Sequence, residues 1–148
     1  MSARLLAIFL RPGARLPVRA VERATAIAGL GLDGDHAGGG KRQVTLLTRE
    51  GWERATAELG ITIDPAVRRA NLFVEGIDLA SCIGGSLQIG DVVIDVLGET
   101  RPCELLEGPG RVGLCATLRP EQRGGVHGIV RIGGELQIGA CCGVPATA

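Results

Sequence analysis

The sequence predicts a mainly β fold with a few short helices (α+β), on three observations. Glycine is abundant, 24 of 148 residues, about 16% against an average near 7%. These glycines follow no G-X-Y period and separate short apolar segments, the pattern of many turns joining short strands. One stretch, Thr48 to Gly60, carries helix signals at both ends.

Taken in order, Ala3–Leu10 reads as a first strand closed by Arg11-Pro12-Gly13. Leu16-Pro17-Val18 and Val21–Ala28 read as short extended pieces, and Gly29–Gly40 as a glycine-rich loop. Gln43–Leu47 is a strand. Thr48 is placed as an N-cap, whose hydroxyl can accept from an orphan N–H of the first helical turn. The helix then runs from Arg49 to Leu59, with Trp52, Ala55 and Leu59 on one face and Gly60 as its C-terminal glycine. Asp64-Pro65 starts a short turn or helix through Arg69. Asn71–Glu75 is a strand, and Leu87–Ile89 with Val92–Leu97 form a hairpin around Gly90-Asp91. Glu104–Leu106 and Val112–Leu118 are short helical segments. Gly125–Arg131 and Leu136–Ile138 are the last strands, joined by a tight hairpin at Gly133-Gly134. The segment Ile83–Gly90 recurs as Ile132–Gly139 with one difference, Ser86 against Glu135, which suggests two strand pairs of one barrel-like sheet.

Length and composition bound the function. A chain of 148 residues reads as a single domain spanning 1–148, with a core from about 4 to 139 and a tail at 140–148. Formal net charge is zero, with 16 basic and 16 acidic residues, so no global field points to nucleic acid or an anionic membrane. One Trp, two Phe and no Tyr give little stacking surface for single-stranded nucleic acid. The apolar N-terminal run is short and interrupted by Arg4, which predicts no signal peptide and no membrane span. Five cysteines, an odd number, fit a reducing compartment, and the expected location is cytoplasmic.

Cys103 is the cysteine with the strongest local case for chemistry. It follows the strand-stopping Pro102 and precedes helix formers, beside the permanent cation Arg101. A helix N-terminus and a nearby cation both favour thiolate, which can hold a persulfide sulfur or bind a soft metal. His127, in the loop Arg123–Gly128, is a candidate base for a Cys/His nucleophile, or a histidine bonded within its own loop. The loop Gly29–Arg42 holds Asp33, Asp35, His36, Lys41 and Arg42 on a flexible backbone whose N–H groups can form an anion nest. The Walker pattern fails there, because Asp35 and Arg42 stand where Gly and Ser or Thr are needed. Asn71 offers an amide to a heterocycle edge, with Arg68 or Arg69 for a phosphate; its other reading is a local Asx turn. Cys82 and Cys115 read as packed thiols. Cys141-Cys142 lacks zinc-site spacing and reads as an oxidation-prone pair on a loose tail.

The order of these motifs resembles the MOSC domain, found at the C-terminus of molybdenum cofactor sulfurases and in stand-alone proteins. It is carried by Gly29–Ala37 (GLGLDGDHA), Arg42–Leu47, Arg69–Asp78 (RANLFVEGID), Gly85–Asp91 and Arg101-Pro102-Cys103, and covers about Arg4 to Gly139. The resemblance implies a β-barrel-like fold that binds the molybdenum cofactor (molybdopterin) or a related pterin. It implies that Cys103 carries sulfur as a persulfide, or ligates molybdenum. Asp33, Asp35, His36, Arg42, Asn71 and Arg101 match recurrent family positions, and Lys41, Arg69 and His127 complete the expected cofactor-binding set.

Three activities are compatible with that resemblance. The first is a carrier that transfers sulfur from a cysteine desulfurase to a molybdoenzyme partner. The second is a molybdenum-dependent reductase with Cys103 on the metal. The third is a cofactor-binding module without chemistry of its own. The extra N-terminal β-rich domain that accompanies the molybdenum reductases is not expected in this sequence, which weighs against the reductase reading, and pyridoxal phosphate is not expected within it.

Overall fold

The computed structural model describes residues 3–102 and 106–145. Among them the chain forms β1 (Arg4–Leu10), β2 (Arg19–Val21), β3 (Arg23–Ile27), β4 (Gly31–Leu32), β5 (Val44–Thr48), α1 (Arg49–Leu59) and β6 (Leu72–Glu75). It continues with β7 (Ser86–Ile89), β8 (Val92–Glu99), α2 (Leu114–Leu118), β9 (Val126–Ile132), β10 (Gly134–Gln137) and β11 (Cys142–Gly143). The expectation of a mainly β chain with short helices is met. The helical segment expected at Glu104–Leu106 falls mostly outside the described residues.

Eight strands form one mixed sheet in the order β11-β7-β8-β9-β5-β6-β1-β2, and β10-β3-β4 form a second, smaller sheet. The β5–β6 pair is parallel and is crossed by α1; the other pairs are antiparallel. The strand ladders of the large sheet do not close into a barrel. Its two ends curl together all the same. Leu5 N–H donates to Ala140 at 2.9 Å, Gly139 N–H to Leu5 at 2.8 Å and Cys142 N–H to Ala3 at 3.0 Å. This seam corrects the expected tail at 140–148: residues 140–143 are stitched between β1 and β7.

Strand alternation builds two cores. Ile8, Leu46, Leu72 and Val74 point inward, to a cluster shared with Leu87, Ile94 and Leu136. Their neighbours Phe9, Leu47 and Phe73 point outward, where Trp52 and Ala55 of α1 and Leu114 and Leu118 of α2 cover them. α1 forms as its local signals require. Thr48 Oγ1 accepts from Gly51 N–H at 3.0 Å, and Gly60 ends the helix at φ 72°. The Trp52 indole N–H donates to the Ile63 carbonyl at 2.8 Å, which secures the chain beyond the helix.

The expected hairpin at Gly133-Gly134 does not form. β9 pairs with β5 and β8, whereas β10 pairs with β3 from Gly134↔Ala26 to Gln137↔Arg23. The chain passes from one sheet to the other at Gly133, where a Cβ would lie 2.6 Å from the Ala26 carbonyl oxygen. Glycine serves close approach there, not a reversal. The two copies of the repeated segment therefore lie in different sheets, although Leu87 and Leu136 are both fully buried.

Candidate functional site

A cavity of about 690 Å³ opens between the β1–β2 loop, the glycine-rich loop, the start of β5 and the turn before β6. That is an ordinary size for a small-molecule or cofactor site. Six arginines line it: Arg11, Arg15, Arg42, Arg68, Arg69 and Arg111. His36 joins them, and no carboxylate does among the described residues. Net neutrality of the chain thus conceals a concentrated positive site.

Four of these guanidiniums are anchored by the protein. Arg11 donates through Nη2 to Asp35 Oδ2 at 2.8 Å. Arg68 donates to the Gly124 carbonyl at 3.0 Å and to the Thr100 carbonyl at 2.8 Å. Arg69 donates to the carbonyls of Gly13, at 2.9 Å, and of Leu16. Arg111 Nε donates to the Leu106 carbonyl at 3.0 Å. Arg15 and Arg42 have no side-chain hydrogen bond or ion pair among the described residues. The Thr100 hydroxyl is buried at the same place without a hydrogen-bond partner among the described residues. Fixed cations around an open volume suit an anion, and guanidiniums suit the planar fork of phosphate or carboxylate contacts.

Asp35 and Asn71 build the site without lining it. The Asp35 side chain is fully buried against Arg11, and its Oδ1 also accepts from Arg11 N–H at 2.7 Å. Burial pushes the Asp35 carboxyl up, but the Arg11 hydrogen bonds, the Arg11 charge and the Asn71 amide outweigh it and leave it below its usual pKa of 3.8. Asn71 is equally buried. Its Oδ1 accepts from Thr45 N–H at 3.0 Å, and its amide donates to the Phe9 carbonyl at 3.1 Å and to Asp35 at 3.2 Å. Both ends of the amide are engaged inside the protein, which corrects the expected heterocycle contact.

Of the other expected binding residues, His36, Arg42 and Arg69 line the cavity. Asp33, Lys41 and Arg101 are exposed and are not among its lining residues. Part of the expected anion nest is engaged within the protein. The N–H groups of Gly29, Leu30, Asp33, Asp35, His36 and Gly39 donate to protein carbonyls, and the loop reaches the cavity through His36, Ala37 and Arg42. His127 lies on β9, half-buried and off the cavity lining. Burial, then the Arg42 charge, lower its pKa from 6.5. Sequence reasoning missed Arg11, Arg15 and Arg111, which had no motif around them.

Cys103 lies outside the described residues. Cys82 and Cys115 are buried thiols, as expected. Cys141 is exposed and bridges to Arg4, whereas Cys142 is half-buried in β11 with its thiol pushed up to about 12 by burial and by Cys141. No group of three His, Cys, Asp or Glu side chains among the described residues is placed to hold a metal ion. No helix among them is long and apolar enough to cross a membrane. A second cavity, about 390 Å³, is lined by Glu50, Asp78, Glu121, Arg54 and Arg123, a mixed set in which Glu121 pairs with both arginines.

Residues 33–141 match the family model described as MOSC domain. Among solved structures, the YuaD protein of Bacillus subtilis superposes with a TM-score of 0.80 at 18% identity, covering 96% of this chain and 94% of that one. YiiM of Geobacillus stearothermophilus gives 0.77 at 14% identity, covering 97% and 75%. YiiM of Escherichia coli gives 0.71 at 18% identity, covering 98% and 71%. At these identities the likeness is one of fold. No curated protein matches the chain.

Proposed function

The chain belongs to the MOSC domain family, which is associated with molybdenum cofactor binding, and from that premise we propose that it binds the cofactor and carries sulfur on Cys103. The observation that carries this reading is the arginine-lined cavity. Thr100 and Leu106, which stand three positions before and three after Cys103 in the sequence, both line it. The lining fits the anionic part of the cofactor: six guanidiniums to offset phosphate charge and, among the described residues, no carboxylate to repel it. When bound, the cofactor supplies a soft metal centre that accepts sulfur ligands.

In this reading Arg15 and Arg42 meet the phosphate, while Arg11, Arg68, Arg69 and Arg111 shape the wall and supply the field. The same field favours the thiolate of a nearby cysteine. Sulfur loading is then an exchange. The Cys103 thiolate attacks the outer sulfur of a desulfurase persulfide, a new S–S bond forms on Cys103, and the donor cysteine leaves as thiolate. No further oxidant is needed.

Protein purified from a cofactor-producing host tests the binding half. Wild type is expected to retain the pterin, and Arg42→Gln to lose most of it. Absence of pterin from wild type contradicts the reading. Stoichiometric molybdenum with a visible spectrum that disappears in Cys103→Ala favours the reductase instead. Full biological activity of Cys103→Ser favours a binding module without chemistry.

A further inference from the structure

The β1–β2 loop carries two cavity-lining arginines that are held in different ways. Arg11 is fixed at every point: its N–H and guanidinium bind Asp35, and its carbonyl accepts from His36 N–H at 2.8 Å. Beyond the loop, Leu10 pairs with Arg19 as β1 meets β2. Between these fixed points Arg15 is exposed, without a side-chain partner among the described residues, and its backbone lies in the left-handed region at φ 62°. A non-glycine residue stays there only where its surroundings enforce it, and such positions cluster at ligand clamps.

The Arg69 side chain spans this turn. Its guanidinium donates to the carbonyls of Gly13 and Leu16, the two residues that bracket Ala14 and Arg15. Arg69 is itself left-handed, at φ 65°, and its N–H closes the turn at Ala66 with a 3.0 Å bond. Within the loop, the one backbone hydrogen bond among the described residues is long, Leu16 N–H to Gly13 at 3.4 Å. Pro12 and Pro17 restrict the chain on either side. The loop therefore has rigid ends, a stiffened middle and, among the described residues, the Arg69 side chain bonded to two of its carbonyls.

We propose that residues 12–17 form a strap that closes over a phosphate or diphosphate ester in the cavity. Arg15 makes the closing contact, and Arg69 is the positioning residue that sets the strap. This rests on the cavity being an anion site, as in the function proposed above. The ligand class follows from the donors: among the described residues, two guanidiniums with no protein partner, Arg15 and Arg42, face a volume with no lining carboxylate. Tetrahedral, acceptor-only oxyanions fit that set.

Limited trypsin digestion of the full chain reads Arg15 directly, because the protease must take that guanidinium into its own pocket. Cleavage after Arg11 is blocked by Pro12, so the strap offers one bond, Arg15–Leu16. Inorganic pyrophosphate is the probe, with its affinity measured by calorimetry at matched ionic strength and trypsin activity checked on a small reporter peptide. At a concentration ten times its dissociation constant, pyrophosphate should slow cleavage after Arg15 about tenfold. Arg69→Met should speed that cleavage in the absence of probe. Arg69→Lys keeps the charge that Arg69 lends the cavity but not its fork onto two carbonyls, and pairing it with Arg15→Gln should weaken pyrophosphate no further than Arg15→Gln alone. Pyrophosphate that binds without protecting Arg15, or additive effects of the two substitutions, overturns the strap while leaving the anion site standing. Wild type that binds no pyrophosphate overturns both. The wild-type arm needs no substitution, so it decides the matter even if Arg69→Met fails to fold.

Discussion

Asp35 grips Arg11 from two sides, accepting from its backbone N–H at 2.7 Å and from its guanidinium at 3.2 and 2.8 Å. The pair joins the glycine-rich loop to the end of β1, and through Asn71 it also reaches β5 and β6. A carboxylate that a sequence reading assigns to the ligand is thus the part that holds a ligand-facing cation in place.

Asp35→Asn should therefore cost about 1–3 kcal/mol, the usual penalty for weakening charge-assisted hydrogen bonds to a partly buried cation. The folded-state pKa of Asp35 lies below its unfolded value near 3.8, so its contribution is fully present above that pH and is lost as pH falls through the folded value. Urea unfolding at pH 7 and at pH 3 checks this: the gap between wild type and Asp35→Asn should be wide at the first and narrower at the second.

His127 reports the field of the cavity from outside it. Its pKa is lowered by burial and by Arg42, so the neutral imidazole is the folded form, and this group's contribution to stability is lost as pH falls below 6.5. In an NMR titration His127 should titrate below 6.5. Arg42→Gln should move it upward by removing one of the two causes. An unchanged value in Arg42→Gln would show that the Arg42 charge does not reach it.

Removing the Thr48 hydroxyl tests the helix that backs the second core. Thr48→Ala should cost about 1 kcal/mol by leaving the Gly51 N–H without its cap. The melting temperature should fall by several degrees, with little change in ligand affinity, because α1 lies behind β5 and not on the cavity wall.

Gly124 connects the cavity wall to the segment that leads into Cys103. A Cβ there would stand 2.9 Å from the Thr100 carbonyl oxygen and 3.1 Å from Pro102 Cδ. Gly124→Ala should shift Thr100 and Pro102 by a few tenths of an ångström and destabilise the protein by about 1–3 kcal/mol. It should also slow sulfur loading several-fold. Loading at the wild-type rate would separate Cys103 from this wall.

What was legible in the sequence is what local chemistry decides. Thr48 and Gly60 mark α1 because both caps bond within a few residues of themselves. Gly90-Asp91 marks the β7–β8 hairpin for the same reason. What was not legible depends on distant pairing. Gly133-Gly134 looks like any tight turn until Ala26 is known to lie beside it. Asn71 looks like a ligand contact because its partners, Phe9 and Asp35, are 62 and 36 positions away. Arg11, Arg15 and Arg111 each resemble a solvated surface arginine, and only the fold collects them on one cavity.

The most direct test of the account is intact mass after incubation with a cysteine desulfurase and cysteine, under conditions that preserve persulfides. The prediction is that wild type gains one sulfur atom, that Cys103→Ala gains none, and that Cys141→Ser behaves as wild type. A wild-type protein that gains no sulfur, or a Cys103→Ala variant that gains as much as wild type, would contradict it.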